Sequence, residues 1–372
     1  MPSVILPRPS DWHVHLRSGT MLSDVMPFAD TFAQILVMPN LVPPLTTADM
    51  VLAYEDEVGA ASNFFKPAIN GHHANRALFT KFLTQRTSAG DIRYAVKSGV
   101  KAAKWYPNAG TTNASSGMNS PRDLRAGVLD AMEEFGMVLC IHGEFTKEFQ
   151  PDPLRREYDF IKHLEWLADY HPRLKIVIEH VSDRRMAEYV LTLPPSVAMT
   201  VTAHHPFLTH ADATTDPHCN CMPIAKSEED RRYLAHLVLQ AASEPKVIFG
   251  SDSAPHLVAD KLAGKAGVWS HPTAIVVLWQ HFVEYPFPSQ EAREAAFNAF
   301  MAFNGADFYD ERLTPQERGE IEIVEEDWQV PDEHAGIVPF MAGEVLPFRV
   351  DTMRWFGEPA GGAEYQDSCV LS

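Results

Sequence analysis

Residues 174–193, LKIVIEHVSDRRMAEYVLTL, contain the repeating unit of this chain. The apolar run Leu174–Ile178 predicts a buried strand. The segment Asp183–Leu193 has apolar residues at helical spacing with charges between them. A strand followed by an amphipathic helix is typical of a parallel α/β sheet. His180 lies just after the predicted strand, where its side chain can serve chemistry rather than packing.

The same unit recurs along the chain. Helical spacing appears again in Pro121–Phe135 and Arg155–Tyr170. A first strand is expected near Trp12–His15 and a weaker third strand near Phe64–Ile69, which brings the number of predicted strands to eight. Eight alternating units favour an α/β fold of the (β/α)₈ TIM-barrel type. The remaining apolar runs are Ile35–Met38, Val100–Trp105, Met137–Ile141, Val197–Val201 and Lys246–Phe249.

The chain gives no reason to divide it into separate domains. It has 372 residues without an internal repeat of the amino-acid sequence itself, a Gly/Ser linker or a low-complexity tract. We therefore expect a single barrel domain over residues 1–372. From about Leu313 the strand and helix rhythm fades into acidic, Pro-containing sequence, so residues 313–372 are expected to pack on the barrel as a C-terminal extension.

The net charge and the cysteine content limit the possible binding partners and the cellular compartment of the protein. The formal net charge of −18 repels nucleic-acid phosphates and anionic membranes, although metal ions in a cleft can still attract a small anionic substrate. Four cysteines do not make a disulfide framework, and neither a secretion signal nor a membrane span is evident. We expect a cytoplasmic protein that binds neither nucleic acid nor membrane.

Side chains of the kind that bind metal ions fall at the carboxyl ends of the predicted strands. His13 and His15 are two residues apart, so both point to one face and can bind one ion. Barrel enzymes build their active sites at this end of the strands. Any one such residue could be a core histidine or a capping aspartate, but six in register across five strands predict a metal centre. The six are His13, His15, Lys104, His142, His180 and Asp252.

Lys104 needs a chemical reason to belong to this set, because an ammonium group cannot bind a cation. A buried lysine near metal ions can lose its proton. The neutral amine can then add CO₂ and become a carbamate, an anionic ligand with two oxygens. The alternative is an ordinary paired lysine, but the position of Lys104 between the histidine sets favours N6-carboxylysine.

Seven stretches make the sequence similar to the single-function, two-zinc dihydroorotases of the amidohydrolase superfamily. Their order is more specific than any one motif, and together they span most of the chain. Other cyclic amidases share the metal-type residues but seldom MPNLxPP or YPxxxTTN. The stretches are DWHVHLR (11–17), VMPNLVPPLTT (37–47), KAAKWYPNAGTTN (101–113), IHGE (141–144), IEH (178–180), TAHHPFLTH (202–210) and GSDSAPH (250–256).

This resemblance implies a site with two Zn²⁺ ions per chain. His13, His15 and Asp252 would hold one zinc and His142 and His180 the other, and carboxylated Lys104 and a hydroxide would bridge both. Asp252 would be the catalytic residue, taking a proton from the hydroxide and delivering it to the leaving amide nitrogen. The implied reaction is reversible hydrolysis of (S)-dihydroorotate to N-carbamoyl-L-aspartate in UMP biosynthesis, carried out by a homodimer.

The substrate carboxylate needs a cationic partner. Arg17 lies two residues after His15 on the same face, and a guanidinium can bind a carboxylate through two parallel hydrogen bonds. The alternative is an arginine paired with a structural acid. By resemblance, Asn40 and His256 complete the carboxylate site.

A polar loop, residues 108–117, supplies further candidates. It contains Thr111 and Thr112 in the run NAGTTNASSG. The family uses this loop as a lid whose threonine hydroxyls reach the substrate, whereas a plain surface loop is the competing interpretation. By the same resemblance, the backbone near Met222 would face the substrate.

Four more residues and the C-terminus have no assigned role. His204 and His205 are expected to pack beside the site rather than bind metal. Cys219 and Cys221 cannot build a tetrahedral zinc site without two more ligands nearby. The C-terminal residues Cys369–Ser372 fit a prenylation pattern, but the preceding residues are acidic, so we do not expect anchoring.

Three alternatives stay open. A hydantoinase-like or allantoinase-like amidase would use the same metals, but its substrate lacks the carboxylate that Arg17 and Asn40 would bind. A phosphoester hydrolase of the same superfamily would need a wider pocket. A non-catalytic interaction protein on this fold would have lost metal ligands, whereas all six positions are filled here.

Overall fold

Eight parallel strands form the centre of the structure. It is a computed structural model and describes residues 2–62, 76–108, 110, 113–114 and 116–354. The strands β2 to β9 pair in chain order as one eight-stranded sheet. The strands are β1 (Ser3–Pro7), β2 (Ser10–Val14), β3 (Gln34–Val37), β4 (Arg76–Phe82), β5 (Ala102–Trp105), β6 (Val138–His142), β7 (Ile176–Glu179), β8 (Val197–Val201), β9 (Val247–Phe249), β10 (Glu320–Gln329) and β11 (Val345–Arg354).

Helices follow most of the barrel strands and pack on the outside of the sheet. A five-residue π-helix at Ala299–Phe303 separates α11 from α12. The helices are α1 (Gly19–Ala29), α2 (Ala48–Ala61), α3 (Ala89–Lys97), α4 (Val128–Phe135), α5 (Arg156–Tyr170), α6 (Arg184–Thr192), α7 (His210–Thr215), α8 (Glu228–Leu239), α9 (Val258–Leu262), α10 (Ala274–Glu284), α11 (Gln290–Asn298), α12 (Asn304–Phe308) and α13 (Pro315–Arg318).

The sheet closes between its first and last strands. Val14 and Ser253 form a parallel bridge. The Asp252 amide donates to the His13 carbonyl at 2.9 Å, and the His15 amide donates to the Ser253 carbonyl at 3.0 Å. The predicted (β/α)₈ barrel is therefore confirmed, and its closing seam places His13, His15 and Asp252 side by side.

The barrel interior is a packed apolar core. Trp12 stacks on Tyr309 with ring centroids 4.5 Å apart, and these rings belong to one buried cluster that also includes inward side chains of the other barrel strands. Since successive strand residues point to opposite faces, the next inward positions lie two residues along each strand. Those positions carry the polar residues of the site. The inward core residues include Ala102, Cys140, Val177 and Ala198.

The third barrel strand was placed wrongly from the sequence. The strand between β3 and β5 is β4, Arg76–Phe82, rather than Phe64–Ile69, and the latter residues lie outside those that the structure describes. The segment RALFTKF was hard to recognise because it carries Thr80 and Lys81. Both residues are buried. The fold tolerates this burial because the Thr80 hydroxyl donates to the Val37 carbonyl at 2.7 Å and the Lys81 ammonium donates to the Thr46 carbonyl.

One predicted helix is shorter than expected. In place of a helix over Pro121–Phe135, the chain forms a short 3₁₀ turn at Pro121–Asp123 and then α4. Gly127, at φ 78°, lies between them and interrupts the helical backbone.

The region after residue 313 contains regular structure that the sequence analysis did not predict. β1, β10 and β11 form a three-stranded antiparallel sheet. Ile321 and Ile323 of β10 are buried in the same apolar cluster as residues of the barrel helices. The division into one barrel domain with an extension over 313–372 stays a prediction. Within the described part of the chain, no helix is long and apolar enough to span a membrane.

Candidate metal centre

Polar side chains occupy the inward positions just above the apolar core. Lys104, His142, Glu179 and Thr200 each lie two residues after an inward core residue of the same strand. All four are buried, with at most 1% of the surface of each exposed. The strand periodicity therefore gathers them at the carboxyl end of the barrel, where the sequence predicted the centre.

His13, His15 and Asp252 form one half of the centre. Asp252 Oδ1 lies 3.0 Å from His15 Nε2 and 3.4 Å from His13 Nε2, and the three could hold a metal ion together. Burial would raise the pKa of Asp252, but the His15 hydrogen bond and the nearby His13 hold that pKa below its usual range. Burial lowers the pKa of His15 to about 4. Asp252 is therefore an ionised carboxylate and His15 a neutral imidazole, which are the protonation states that metal binding requires.

His142 and His180 form the other half. Their Nδ1 and Nε2 atoms, respectively, lie 3.1 Å apart. Burial and the neighbouring His142 lower the pKa of His180 well below its usual value, so its ring is neutral. His180 Nδ1 has no hydrogen-bond partner among the described residues. A buried imidazole nitrogen in that state is suited to bind an ion.

Two glutamates orient the histidines. Glu179 Oε2 lies 2.8 Å from His13 Nδ1 and also accepts from the Thr200 hydroxyl at 2.7 Å. Glu144 Oε1 lies 2.9 Å from His142 Nε2. A carboxylate that accepts from one ring nitrogen fixes the tautomer and leaves the opposite nitrogen free for a metal. The nitrogens left available for a metal ion are thus Nε2 of His13 and Nδ1 of His142.

Lys104 lies near both halves, since it interacts electrostatically with Asp252 of one half and His180 of the other. Its side chain is fully buried, and its Nζ has no hydrogen-bond acceptor within the described structure. Nζ lies 5.2 Å from the Tyr106 ring centroid. Burial lowers the Lys104 pKa against the opposing effects of Glu179 and Asp252. These are conditions that favour the neutral amine from which a carbamate forms.

The backbone is strained at the centre. His180 and Asp252 both have φ of 45°, and Arg17 has φ of 62°. A non-glycine residue in this region costs of order 1 kcal/mol and is maintained only where the surrounding structure enforces it. Each of the three residues directs a polar side chain toward the centre.

The proposed carboxylate site adjoins the metal centre. Arg17 Nε donates to the Pro255 carbonyl at 3.0 Å, and Arg17 Nη2 donates to His256 Nε2 at 3.0 Å. Burial and the Arg17 charge lower the pKa of His256 to about 2, so this ring is neutral and can accept. No carboxylate forms a salt bridge with Arg17 within the described structure, so the alternative of an arginine paired with a structural acid is not supported.

One cleft joins these residues. It brings together most of the sequence-predicted site residues, including Arg17, Asn40 and Met222, whereas Lys104 and His256 are not among its lining residues. Thr111 and Thr112 lie outside the described residues. The lining comprises His13, His15, Arg17, Asn40, Tyr106, His142, His180, Met222, Asp252, Ala254, Ala266 and Gly267.

Sequence reasoning missed several residues of this site, of which four have a clear physical role. Glu144 and Glu179 flank predicted ligands in HGE and IEH, and an acid next to a histidine ligand was the available signal. Tyr106, in WYP, has a buried hydroxyl without a described partner. Gly267 leaves room beside the cleft, because a Cβ there would lie 2.6 Å from the Ala254 carbonyl oxygen. Nothing in the sequence marked Gly267.

Comparison with known proteins identifies the family. A family profile described as amidohydrolase matches residues 64–321. A dihydroorotase from Shewanella amazonensis is 35% identical over 365 residues, which cover 94% of this chain and 100% of that protein. This chain belongs to the dihydroorotase family of amidohydrolases. The family inferred from the seven sequence motifs is thereby confirmed.

Solved structures agree with membership of the dihydroorotase family. The crystal structure of dihydroorotase from Saccharomyces cerevisiae in complex with 5-fluoroorotic acid is 29% identical, with a TM-score of 0.83, and the match covers 95% of this chain and 100% of that one. L-Hydantoinase from Arthrobacter aurescens is 16% identical, with a TM-score of 0.74, covering 96% of this chain and 85% of that one. The second likeness shows the shared fold only. As a member of the dihydroorotase family, the chain is a hydrolase that acts on a cyclic amide.

Proposed function

We propose that this chain is a dihydroorotase that interconverts (S)-dihydroorotate and N-carbamoyl-L-aspartate in pyrimidine biosynthesis. The observation that carries the proposal is the pairing, in one cleft, of a metal-type centre with a partly buried arginine, Arg17, that forms no salt bridge with a carboxylate in the described structure. Metal ions would promote hydrolysis of the ring amide, and Arg17 would bind the carboxylate on the ring. A hydantoin has the amide but lacks the carboxylate.

The donor set supports two zinc ions. Among the predicted metal ligands, four buried polar atoms have no hydrogen-bond partner among the described residues. Unsatisfied buried donors and acceptors are costly unless an ion or a water meets them. The four atoms are His13 Nε2, His15 Nδ1, His180 Nδ1 and Lys104 Nζ.

We assign the ligands according to their contacts. His13, His15 and Asp252 would hold one Zn²⁺, and His142 and His180 the other. Lys104, as a CO₂-derived carbamate, would join the two. Bound there, the ions would supply hydroxide near neutral pH and polarise the amide carbonyl.

Asp252 is the residue that moves the proton. Its carboxylate is ionised at neutral pH, because its pKa lies below the usual range. It can therefore accept a proton from the attacking water and deliver it to the leaving amide nitrogen. The strained backbone at φ 45° holds the carboxylate at the centre. Arg17 and His256, with Asn40 beside them, hold the substrate carboxylate and so fix which ring bond faces Asp252.

The lid and the assembly complete the proposal. Thr111 and Thr112 would contact bound substrate from the loop, and Met222 would contact it through its backbone. The Asn113 side-chain amide donates to the Asn40 backbone carbonyl at 3.0 Å, which joins the loop to the carboxylate site. We also propose a cytoplasmic homodimer that binds no nucleic acid and no membrane, and light scattering on the purified protein tests the dimer.

A substrate comparison with one variant tests the function. We expect hydrolysis of L-dihydroorotate, and far slower hydrolysis of unsubstituted hydantoin. Asp252→Asn should lower kcat by about 10²- to 10⁴-fold while the His142 and His180 side retains metal. Preference for hydantoin would assign the chain to the other amidases, and full activity of Asp252→Asn would refute the proton-transfer role.

A further inference from the structure

A second cluster of metal-type side chains lies beside the cleft. His204 and His205 follow β8, and Cys221 follows a 3₁₀ turn at Pro217–Cys219. At most 1% of the surface of each is exposed. One ligand atom from each residue lies within 4.8 Å of the others. None of the three belongs to the proposed zinc pair, so the cluster is a separate site.

His204 is the unexplained member of this cluster. Its side chain is completely buried, yet neither Nδ1 nor Nε2 has a hydrogen-bond partner among the described residues. A neutral imidazole has one donor and one acceptor to satisfy, and buried polar groups without partners are rare in folded proteins. Packing does not account for His204, whereas a metal ion would meet its unpaired nitrogen.

The distance between two members of the cluster fits two ligands of a tetrahedral ion. Cys221 Sγ lies 3.6 Å from His205 Nε2. Zinc bonds of about 2.3 Å to sulfur and about 2.0–2.1 Å to nitrogen place two tetrahedral ligands about 3.5 Å apart. The Pro223 carbonyl oxygen lies 3.0 Å from the same His205 nitrogen and can provide a fourth ligand. The Thr202 hydroxyl, 3.0 Å from His205 Nδ1, can fix the ring's tautomer.

We propose that His204, His205 and Cys221 bind a third Zn²⁺ ion. This ion would join the end of β8 to the segment that carries Met222, which lines the cleft. Its role would be structural, because all three side chains are buried and the ion would fix the cleft wall. Binding releases the thiol proton, so occupancy should rise with pH.

Cobalt substitution provides a specific signature for this ion. The proposed zinc pair has only nitrogen and oxygen ligands, so a sulfur-to-cobalt charge-transfer band can come only from a cysteine. We expect this near-ultraviolet band when the metal-free chain is reconstituted with Co²⁺. Cys221→Ser should abolish it and lower the metal content by one per chain. Cys219→Ser is the matched control, because Cys219 is not in the cluster, and it should retain the band.

The role of His204 is tested with the same cobalt band. His204→Gln should weaken the band and the affinity for the third ion, whereas the pair at the cleft stays loaded. Absence of the band in the unmodified chain, or its persistence in Cys221→Ser, would overturn the proposal. The three residues would then be only a buried cluster without a metal ion.

A measurement on the unmodified zinc protein covers the case in which a variant fails to fold. X-ray absorption at the zinc edge should detect a sulfur neighbour at about 2.3 Å, and a spectrum with nitrogen and oxygen neighbours only would overturn the proposal. If the proposed zinc pair in the cleft were absent, the zinc content would be lower by two ions per chain, but the X-ray absorption of a zinc ion with a sulfur neighbour would remain. The two proposals therefore fail separately.

Discussion

Replacing Arg17 with lysine removes the fork that would bind the substrate carboxylate but keeps the positive charge. In the structure, Nε and Nη2 of Arg17 are fixed by the Pro255 carbonyl and by His256, each at 3.0 Å. These contacts orient the guanidinium before substrate arrives. A lysine ammonium offers a single point donor and makes neither contact in the same geometry.

The expected loss follows from one hydrogen bond to a charged group. Such a bond contributes about 1.5–3 kcal/mol, which corresponds to a roughly 10- to 150-fold change in affinity. Because the carboxylate is held equally in ground and transition states, KM for dihydroorotate should rise by about this factor, with kcat little changed. The backbone should not respond, since lysine and arginine have the same constraint at φ 62°.

Steady-state hydrolysis of L-dihydroorotate measures both constants. Arg173→Lys is the matched control, because the Arg173 side chain is 85% exposed and pairs with Glu133 at 3.2 Å. It should leave KM unchanged. An Arg17→Lys enzyme with the KM of the control would place the carboxylate site elsewhere in the cleft and refute the assignment.

Two further predictions concern the metal centre, and a third concerns the stability of the fold in acid. Lys104→Ala should lower activity roughly 100-fold or more through loss of the bridging ligand, with partial recovery on adding acetate or propionate; unchanged zinc content and rate would exclude the carbamate. Glu179→Gln removes the charge that orients His13 and should weaken zinc binding about 10- to 100-fold in a chelator competition, whereas the surface change Glu188→Gln should have no effect. Burial lowers the pKa of His163 from 6.5 to about 4, so the unfolded chain takes up a proton below pH 6.5 that the folded chain resists, and the free energy of unfolding falls as pH drops through this window. Because His163 is partly exposed, His163→Phe should reduce that loss of unfolding free energy by only about 1 kcal/mol. Urea unfolding at both ends of the pH window measures the difference. An equal acid sensitivity of the variant and the unmodified chain would contradict this prediction.

The sequence predicted the barrel well where strands are uniformly apolar. Val197–Val201 coincides with β8, and Asp183–Leu193 differs from α6 by one residue at each end. β4 was misplaced because its buried Thr80 and Lys81 satisfy their polar groups through carbonyls that only the fold brings near. The antiparallel sheet of β1, β10 and β11 was missed because its strands come from opposite ends of the chain, a pairing that local patterns cannot predict.

The candidate site was predictable to the extent that chemistry follows strand ends. The six metal-type residues stand out because rare residue types recur at equivalent positions of the barrel. The orienting role of Glu179 could not be predicted in the same way, since it depends on a 2.8 Å contact with His13, a residue 166 positions away. The partner of Cys221 was likewise hidden, because His205 joins it only through the fold. Contacts of this kind are products of tertiary structure.

The most direct test of the central claim is hydrolysis of L-dihydroorotate by the purified chain, followed by ultraviolet loss of the ring amide, with zinc counted in the same sample. We expect turnover that disappears when a chelator removes the metal and returns when zinc is restored. Turnover that persists in metal-free protein would contradict the metal centre. Zinc-loaded protein that leaves dihydroorotate intact would contradict the proposed substrate.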